Sequence, residues 1–132
     1  MNKDIAFFDN FADTWDSYRN TNVKILEQLM VLANIPAESI DVVICLNFFP
    51  HLHTRKKEFI RKMKSSLKNG GSLIIMHDIS RAKVNSIHRD SSVVTEHRLP
   101  EAKLVGEMLK ACGYQNITAY EDDTLYFVKG FK

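Results

Sequence analysis

The chain has 132 residues, of which 45% are hydrophobic and 26% charged, and its formal net charge is +2. This is the composition of a single globular domain, and its apolar runs fall short of the roughly 20 residues that a membrane helix needs. The first residues lack the apolar core of a secretory signal, and the nearly balanced charge gives little support for nucleic acid as a partner. We therefore expect a cytoplasmic protein that binds neither membranes nor nucleic acid.

Glycine is distributed unevenly along the chain. No glycine occurs among the first 69 residues, and the five that follow are Gly70, Gly71, Gly106, Gly113 and Gly130. A loop that cradles a nucleotide or phosphate after an early strand needs glycine where the backbone turns tightly and approaches the ligand. The sequence therefore excludes such a loop before Gly70.

The N-terminal part predicts helices. Residues 7–17 mix acidic residues with Phe7, Phe8, Phe11 and Trp15, which favours short helical turns that cover an apolar surface. Asn20 to Asn34 carries apolar residues at helical spacing, and Pro36 ends the pattern. We expect an N-terminal helical cap over residues 1–36, followed by one compact unit over residues 37–132.

The remaining elements predict an α/β unit. Ile40 to Phe49 is a continuous apolar run typical of a buried parallel strand, and Ser72 to Asp78 is a second. Between them, Thr54 can cap a helix that runs to Lys68 and stops at Asn69-Gly70-Gly71. Helices are also predicted over residues 81–91 and 100–112, before an antiparallel hairpin of residues 116–120 and 124–131.

Three segments in this order, FFDNFADTWD, DVVICLNFFPHL and LKNGGSLIIMHD, are followed by a helix ending at Gly113-Tyr114 and by the hairpin. The series resembles the small-molecule branch of the class I S-adenosylmethionine (SAM)-dependent methyltransferases. The resemblance implies a partial Rossmann-like methyltransferase sheet with strands equivalent to the family's 4, 5, 7 and 6, and an N-terminal helical cap. It also implies SAM as cofactor and a small-molecule acceptor.

The sequence departs from that family before its first predicted strand. The family has three strands and two helices between the cap and the fourth strand, where this chain has only residues 36–39. Two βαβ units would need about 60 residues. We therefore expect an internally truncated member that lacks the glycine-rich cofactor loop and neither binds SAM nor transfers methyl groups alone. The alternative is an active enzyme whose site is completed at a dimer interface or by a segment missing from this sequence.

Histidines follow both predicted parallel strands, where ligands bind in open α/β sheets. His51 and His53 follow the first strand, and His77 ends the second. We expect a polar wall with His51 and His77 as catalytic residues, since imidazole can remove a proton from an acceptor. Asn47 is assigned to the methionine end of the cofactor, and the substrate-binding residues are Phe49, Arg81, Asn85 and His88. The alternative is a set of surface histidines that bind nothing.

Two other kinds of site are disfavoured. The histidines lack the i, i+4 spacing and an evident acidic third ligand, so we expect no metal. The helix from Thr54 to Lys68 holds seven of the 18 basic residues. Such a run can bind phosphates, but it is more often the solvated face of an amphipathic helix, and no aromatic platform is interleaved with it.

The missing strands would leave the run from Asp41 to Phe48 at a sheet edge. Long apolar edges favour pairing with another chain. We therefore expect a homodimer, formed either by pairing of this strand across a two-fold axis or by exchange of the N-terminal cap.

Overall fold

The structure is a computed structural model that describes residues 32–91 and 96–132. The expected N-terminal cap lies almost entirely outside these residues, so that expectation and the division at residue 36 remain predictions. None of the helices in the described ranges is long and apolar enough to cross a membrane.

A four-stranded mixed sheet organises the described part of the chain. Its strands are β1 (Ile40–Leu46), β2 (Leu67–His77), β3 (Gln115–Glu121) and β4 (Tyr126–Phe131), in the order β1-β2-β4-β3. β1 and β2 are parallel, and β4 is antiparallel to both β2 and β3. This is the order expected for strands equivalent to 4, 5, 7 and 6, and the mixed α/β, Rossmann-like fold is confirmed.

Three helices and one 3₁₀ helix connect the strands. The 3₁₀ helix Phe49–Arg55 leads directly into α1 (Lys56–Ser66), and together they form the crossover between the parallel strands. α2 (Arg81–Arg89) follows β2, and the side chain of Ser80 caps it by accepting a hydrogen bond from the Lys83 amide. α3 (Ala102–Ala111) packs on β3 and β4.

Among the described residues, one face of the sheet is covered more completely than the other. On that face Cys45, Leu73, Ile75 and Val128 are at most 5% exposed. On the opposite face the side chains of β1 alternate outward, and Val42, Ile44 and Leu46 are 48%, 59% and 53% exposed. The predicted strand is thus buried on one side and open on the other.

The turn at residues 67–71 differs from the sequence prediction. α1 begins at Lys56 rather than at a Thr54 cap and ends at Ser66, while Leu67 is already extended. Leu67 pairs with Ile40, and a bulge separates that pair from Val42 and Ser72. The pairing overrides the helical pattern, so residues 67–71 belong to β2. Gly71 has no room for a side chain, because a Cβ would lie 2.9 Å from the carbonyl oxygens of Asp41 and Lys68.

A buried tyrosine joins α1 to the turn after α3. Tyr114 is 2% exposed, and its hydroxyl donates a 2.7 Å hydrogen bond to the carbonyl oxygen of Ile60. Burial raises the pKa of this phenol. The bond gives the buried phenol hydroxyl a hydrogen-bond partner and links α1 to the turn after α3.

We predict that Tyr114→Phe lowers the free energy of unfolding by about 1 kcal/mol, because it removes a buried hydrogen bond between α1 and the turn after α3. The matched control is Tyr120→Phe, since Tyr120 is 51% exposed and its hydroxyl bonds to Asp122 at the surface. That change should cost about 0.5 kcal/mol or less. Urea unfolding of both variants checks this, and equal losses would contradict it.

Candidate functional site

A pocket opens beyond the carboxyl ends of the two parallel strands. Its volume is about 190 Å³, and it is open to solvent. The lining comes from the residue after β1, from the end of β2 and from α2: Asn47, His77, Asp78, Ile79, Val84, Ile87 and His88. Three of the residues predicted from sequence, Asn47, His77 and His88, therefore share one pocket.

Asn47 and Asp78 tie the two strand ends together. The Asn47 side-chain amide donates to the Asp78 carboxylate at 3.0 Å, and its oxygen accepts the Asp78 backbone N–H at 3.2 Å. Asn47 has a φ of +54°, which ends the extended strand at Leu46, and asparagine tolerates this conformation better than most residues. The pair fixes one wall of the pocket and leaves the Asp78 carboxylate exposed at its rim.

His77 is the most buried polar group of the pocket. It is 5% exposed, and its ring packs edge-on against Tyr126 with 5.9 Å between centroids. Its Nε2 atom is buried and has no hydrogen-bond partner among the described residues. Burial, reinforced by the neighbouring His88, lowers the pKa of His77 to about 4, and Asp78 opposes this only weakly. The ring is therefore neutral at pH 7 and can accept or donate one hydrogen bond.

The other four histidines form a second group, of which His88 also lines the pocket. His51 lies 4.8 Å from His88 and 5.5 Å from His97, and His53 lies 5.2 Å from His97, measured between ring centroids. The Nδ1 atoms of His51 and His97 are 3.3 Å apart, so one ring donates and the other accepts. The Nδ1–H of His88 donates to the His97 carbonyl. All five histidines of the chain thus lie around one end of the sheet.

Three residues predicted to bind substrate do not line this pocket and have partners within the fold. Phe49 is 0% exposed and packs against Phe59, so it lies in the core and does not face the pocket. The 3₁₀ helix that begins at Phe49 turns this side chain inward. Arg81 pairs with Glu121 at 2.7 Å, and the Asn85 side chain bonds both the N–H and the carbonyl of Leu99.

Sequence reasoning missed His97 and Asp78 as members of this region. His97 is 5% exposed and lies in the loop before α3, where no periodicity marks it. The sequence offers one weak signal for His97, because a histidine just before the start of a predicted helix can contact the preceding helix. Within residues 32–91 and 96–132, no group of three or more His, Cys, Asp or Glu side chains is arranged to hold a metal ion.

The pocket among the described residues is small and has no glycine in its lining. Small-molecule sites commonly enclose roughly 300–1,000 Å³, and this pocket is smaller. The glycines nearest in sequence, Gly70 and Gly71, lie near the opposite end of β2 from His77, so they cannot cradle a ligand there.

We predict that His77 makes stability depend on pH. Its pKa is near 6.5 in the unfolded chain and about 4 in the folded one, so protonation favours the unfolded chain. The contribution of the neutral His77 ring to the free energy of unfolding is complete above pH 6.5. About 3 kcal/mol of this free energy is lost as the pH falls to 4. The measurement is the unfolding free energy of the wild type and of His77→Phe across this range.

The variant removes only the titrating ring, so the difference between the two pH profiles isolates His77 from the other histidines. An NMR titration of the His77 ring gives an independent check. A midpoint near pH 6.5 in the folded protein would contradict the prediction.

The fold of this chain is shared with solved methyltransferase structures. A SAM-dependent methyltransferase from Thermotoga maritima, described as a possible histamine N-methyltransferase, aligns with a TM-score of 0.61 and 13% identity over 74% of this chain and 58% of its own. A SAM-dependent methyltransferase from Archaeoglobus fulgidus gives a TM-score of 0.61 at 12% identity, over 77% of this chain and 63% of its own.

A more distant match is human N-acetylserotonin methyltransferase in complex with SAM, with a TM-score of 0.54 and 12% identity over 70% of this chain and 29% of its own. The chain therefore spans less than two thirds of the length of each of these structures. No curated protein matches the sequence. The family model described as "Methyltransferase domain" matches residues 9–75, about half of the chain. By that match, this chain belongs to the methyltransferase domain family.

Proposed function

We propose that this protein is a methyltransferase-domain member that does not bind SAM or transfer methyl groups as a single chain, and that it acts as a binding or interaction module. The observation that carries this proposal is the pocket beside Asn47 and His77, whose volume of about 190 Å³ is below that of common small-molecule sites and whose lining contains no glycine. The glycine-free sequence up to residue 69 supports this, because the family's cofactor loop after its first strand needs glycine.

The pocket itself supports a role in holding a small molecule. Ile79, Val84 and Ile87 give it an apolar wall, while Asn47, His77 and Asp78 supply polar groups. In this proposal a ligand group that reaches the unpartnered Nε2 of His77 gains a hydrogen bond that the protein leaves unmade. His77 then positions the ligand or accepts its proton, with His88 at the pocket wall.

In this proposal His51 contributes to ligand binding only indirectly. Its ring lies against His88 and His97 and is not among the residues that line the pocket. We therefore assign it to supporting the His88 wall. Arg81 and Asn85 support α2 in the same way, through Glu121 and Leu99.

The open face of β1 supports a homodimer. Within the described residues, β1 pairs with β2 on one side and has no strand on the other. Its outward side chains, Val42, Ile44 and Leu46, are about half exposed. An apolar edge strand of this kind is stabilised by pairing with a second copy.

Free thiols at Cys45 and Cys112 agree with the reducing conditions of the cytoplasm.

We predict that calorimetric titration with SAM, and with its demethylated product, gives no binding heat at 1 mM ligand. The physical reason is the missing glycine cradle and the small pocket volume. The titration is performed at a protein concentration at which any dimer is populated. Binding at micromolar concentrations would overturn the proposal and support the alternative, an active enzyme whose site is completed by a second copy.

We predict a dimer in analytical ultracentrifugation at micromolar concentration. Ile44→Lys should raise the dissociation constant at least tenfold, because it places a charge on the apolar face of β1. Leu104→Lys is the matched control, since Leu104 is 51% exposed on α3, away from β1, and should leave the dimer intact. A wild-type protein that sediments only as a monomer would refute the dimer.

A further inference from the structure

The pocket beyond β1 and β2 combines hydrocarbon with hydrogen-bond acceptors. Three of its lining side chains are aliphatic: Ile79, Val84 and Ile87. The other four are polar: Asn47, His77, Asp78 and His88. Among the described residues, no lysine or arginine lines the pocket. The lining therefore offers a negative charge and no fixed positive charge to a ligand.

Asp78 brings an unpaired negative charge to the rim of this pocket. Its Oδ1 atom accepts the side-chain amide of Asn47 at 3.0 Å. Its Oδ2 atom accepts no hydrogen bond from the described part of the chain, and no lysine or arginine there lies within ion-pair distance. An ionised carboxylate has room for several donors, and it binds a charged donor most strongly. Asp78 can therefore hold a cationic group of a ligand.

His88 supplies a second acceptor at the pocket wall. Its Nδ1 atom contacts the carbonyl oxygen of His97, which can only accept, so Nδ1 carries a proton. In the neutral ring Nε2 is then the unprotonated nitrogen, and no residue in the described ranges donates to it. The fold thus fixes the tautomer in which Nε2 of His88 accepts a hydrogen bond from a ligand.

His77 lies beside both acceptors and carries no charge. Asp78 and His88 both act electrostatically on its ring, so the three groups are neighbours. Burial lowers the pKa of His77 to about 4, whereas alkyl ammonium groups titrate near pH 10. At neutral pH the ring therefore does not repel an ammonium ion and does not remove its proton.

We propose that this pocket binds a small organic ammonium ion, in a deepening of the proposed function that rests on the role of the pocket in holding a small molecule. The N–H groups of the ligand donate to the Asp78 carboxylate, with Nε2 of His88 as a further acceptor. The hydrocarbon part of the ligand contacts the three aliphatic side chains. The formal net charge of the chain is +2, so cations are attracted by the local carboxylate and not by the protein as a whole.

Other ligand classes fit these groups less well. A neutral alcohol with the same hydrocarbon part keeps the aliphatic contacts but loses the charge-assisted hydrogen bond to Asp78. An anion of the same shape meets the Asp78 carboxylate without a cation to offset the repulsion. The pocket chemistry therefore ranks ammonium above alcohol, and alcohol above carboxylate.

We predict this order for three probes that share one ring: cyclohexylammonium, cyclohexanol and cyclohexanecarboxylate. Each is titrated into the full-length ¹⁵N-labelled chain at pH 8, and the amide signals of Ile79 and Ile87 are followed by NMR. The buffer holds 150 mM salt, which screens charges beyond about 8 Å. Cyclohexylammonium should bind with a Kd of roughly 10 mM or less, about threefold or more below that of cyclohexanol. Cyclohexanecarboxylate should not shift these signals at 50 mM.

Asp78→Asn tests the carboxylate itself. The asparagine oxygen can still accept the Asn47 amide, so the variant removes the charge and keeps the link between the strand ends. It should raise the Kd of cyclohexylammonium about threefold or more and leave that of cyclohexanol within twofold. Ile87→Ser should weaken both probes by a similar factor, because each contacts the aliphatic wall.

Asp41→Asn is the matched control for charge. Asp41 lies at the opposite end of β1 from Asn47, and its carboxylate is 80% exposed and pairs with Lys68. The variant makes the same change in net charge away from the pocket, so both affinities should stay at the wild-type values.

The possible outcomes separate the ligand class from the proposed function. Cyclohexanol or cyclohexanecarboxylate binding as tightly as cyclohexylammonium would overturn the ammonium ligand and leave the pocket as a small-molecule site. Equal losses in Asp78→Asn and Asp41→Asn would also overturn it. If none of the three probes shifts the signals of Ile79 and Ile87 at 50 mM, the role of the pocket in holding a small molecule fails together with the ammonium ligand.

Discussion

The parallel pairing of β1 with β2 is the constraint on which the rest of the structure depends. It places residues from distant parts of the chain, Asn47 and Asp78, side by side at the carboxyl ends of the strands. It also forces the crossover through the 3₁₀ helix and α1, which carries His51 and His53 to the same end. Without this register, neither the pocket nor the histidine group would exist.

The pairing also explains how polar groups are distributed at that end of the sheet. His77 continues the inward-facing series of β2 and is buried, which keeps its ring neutral. The four other histidines leave the sheet on loops and helix ends and remain partly hydrated or paired with one another. One end of the sheet therefore carries a buried neutral imidazole and four further histidines that contact one another.

The same pairing leaves β1 with one covered and one open face. Cys45 is buried on the covered face, whereas Ile44 on the other face is 59% exposed. Within the described residues β1 is also the outer strand of the sheet, and this position is the basis of the proposed self-association.

The sequence by itself determined the strand and helix content, the antiparallel hairpin and the parallel pair, because apolar periodicity and turn residues are local signals. Resemblance to the methyltransferases added the strand order. Only the tertiary structure decided that Leu67 leaves the helix to pair with Ile40. It also decided that Phe49 turns into the core and that His97 folds back on His51. Those outcomes depend on contacts between residues far apart in the chain, which no local pattern encodes.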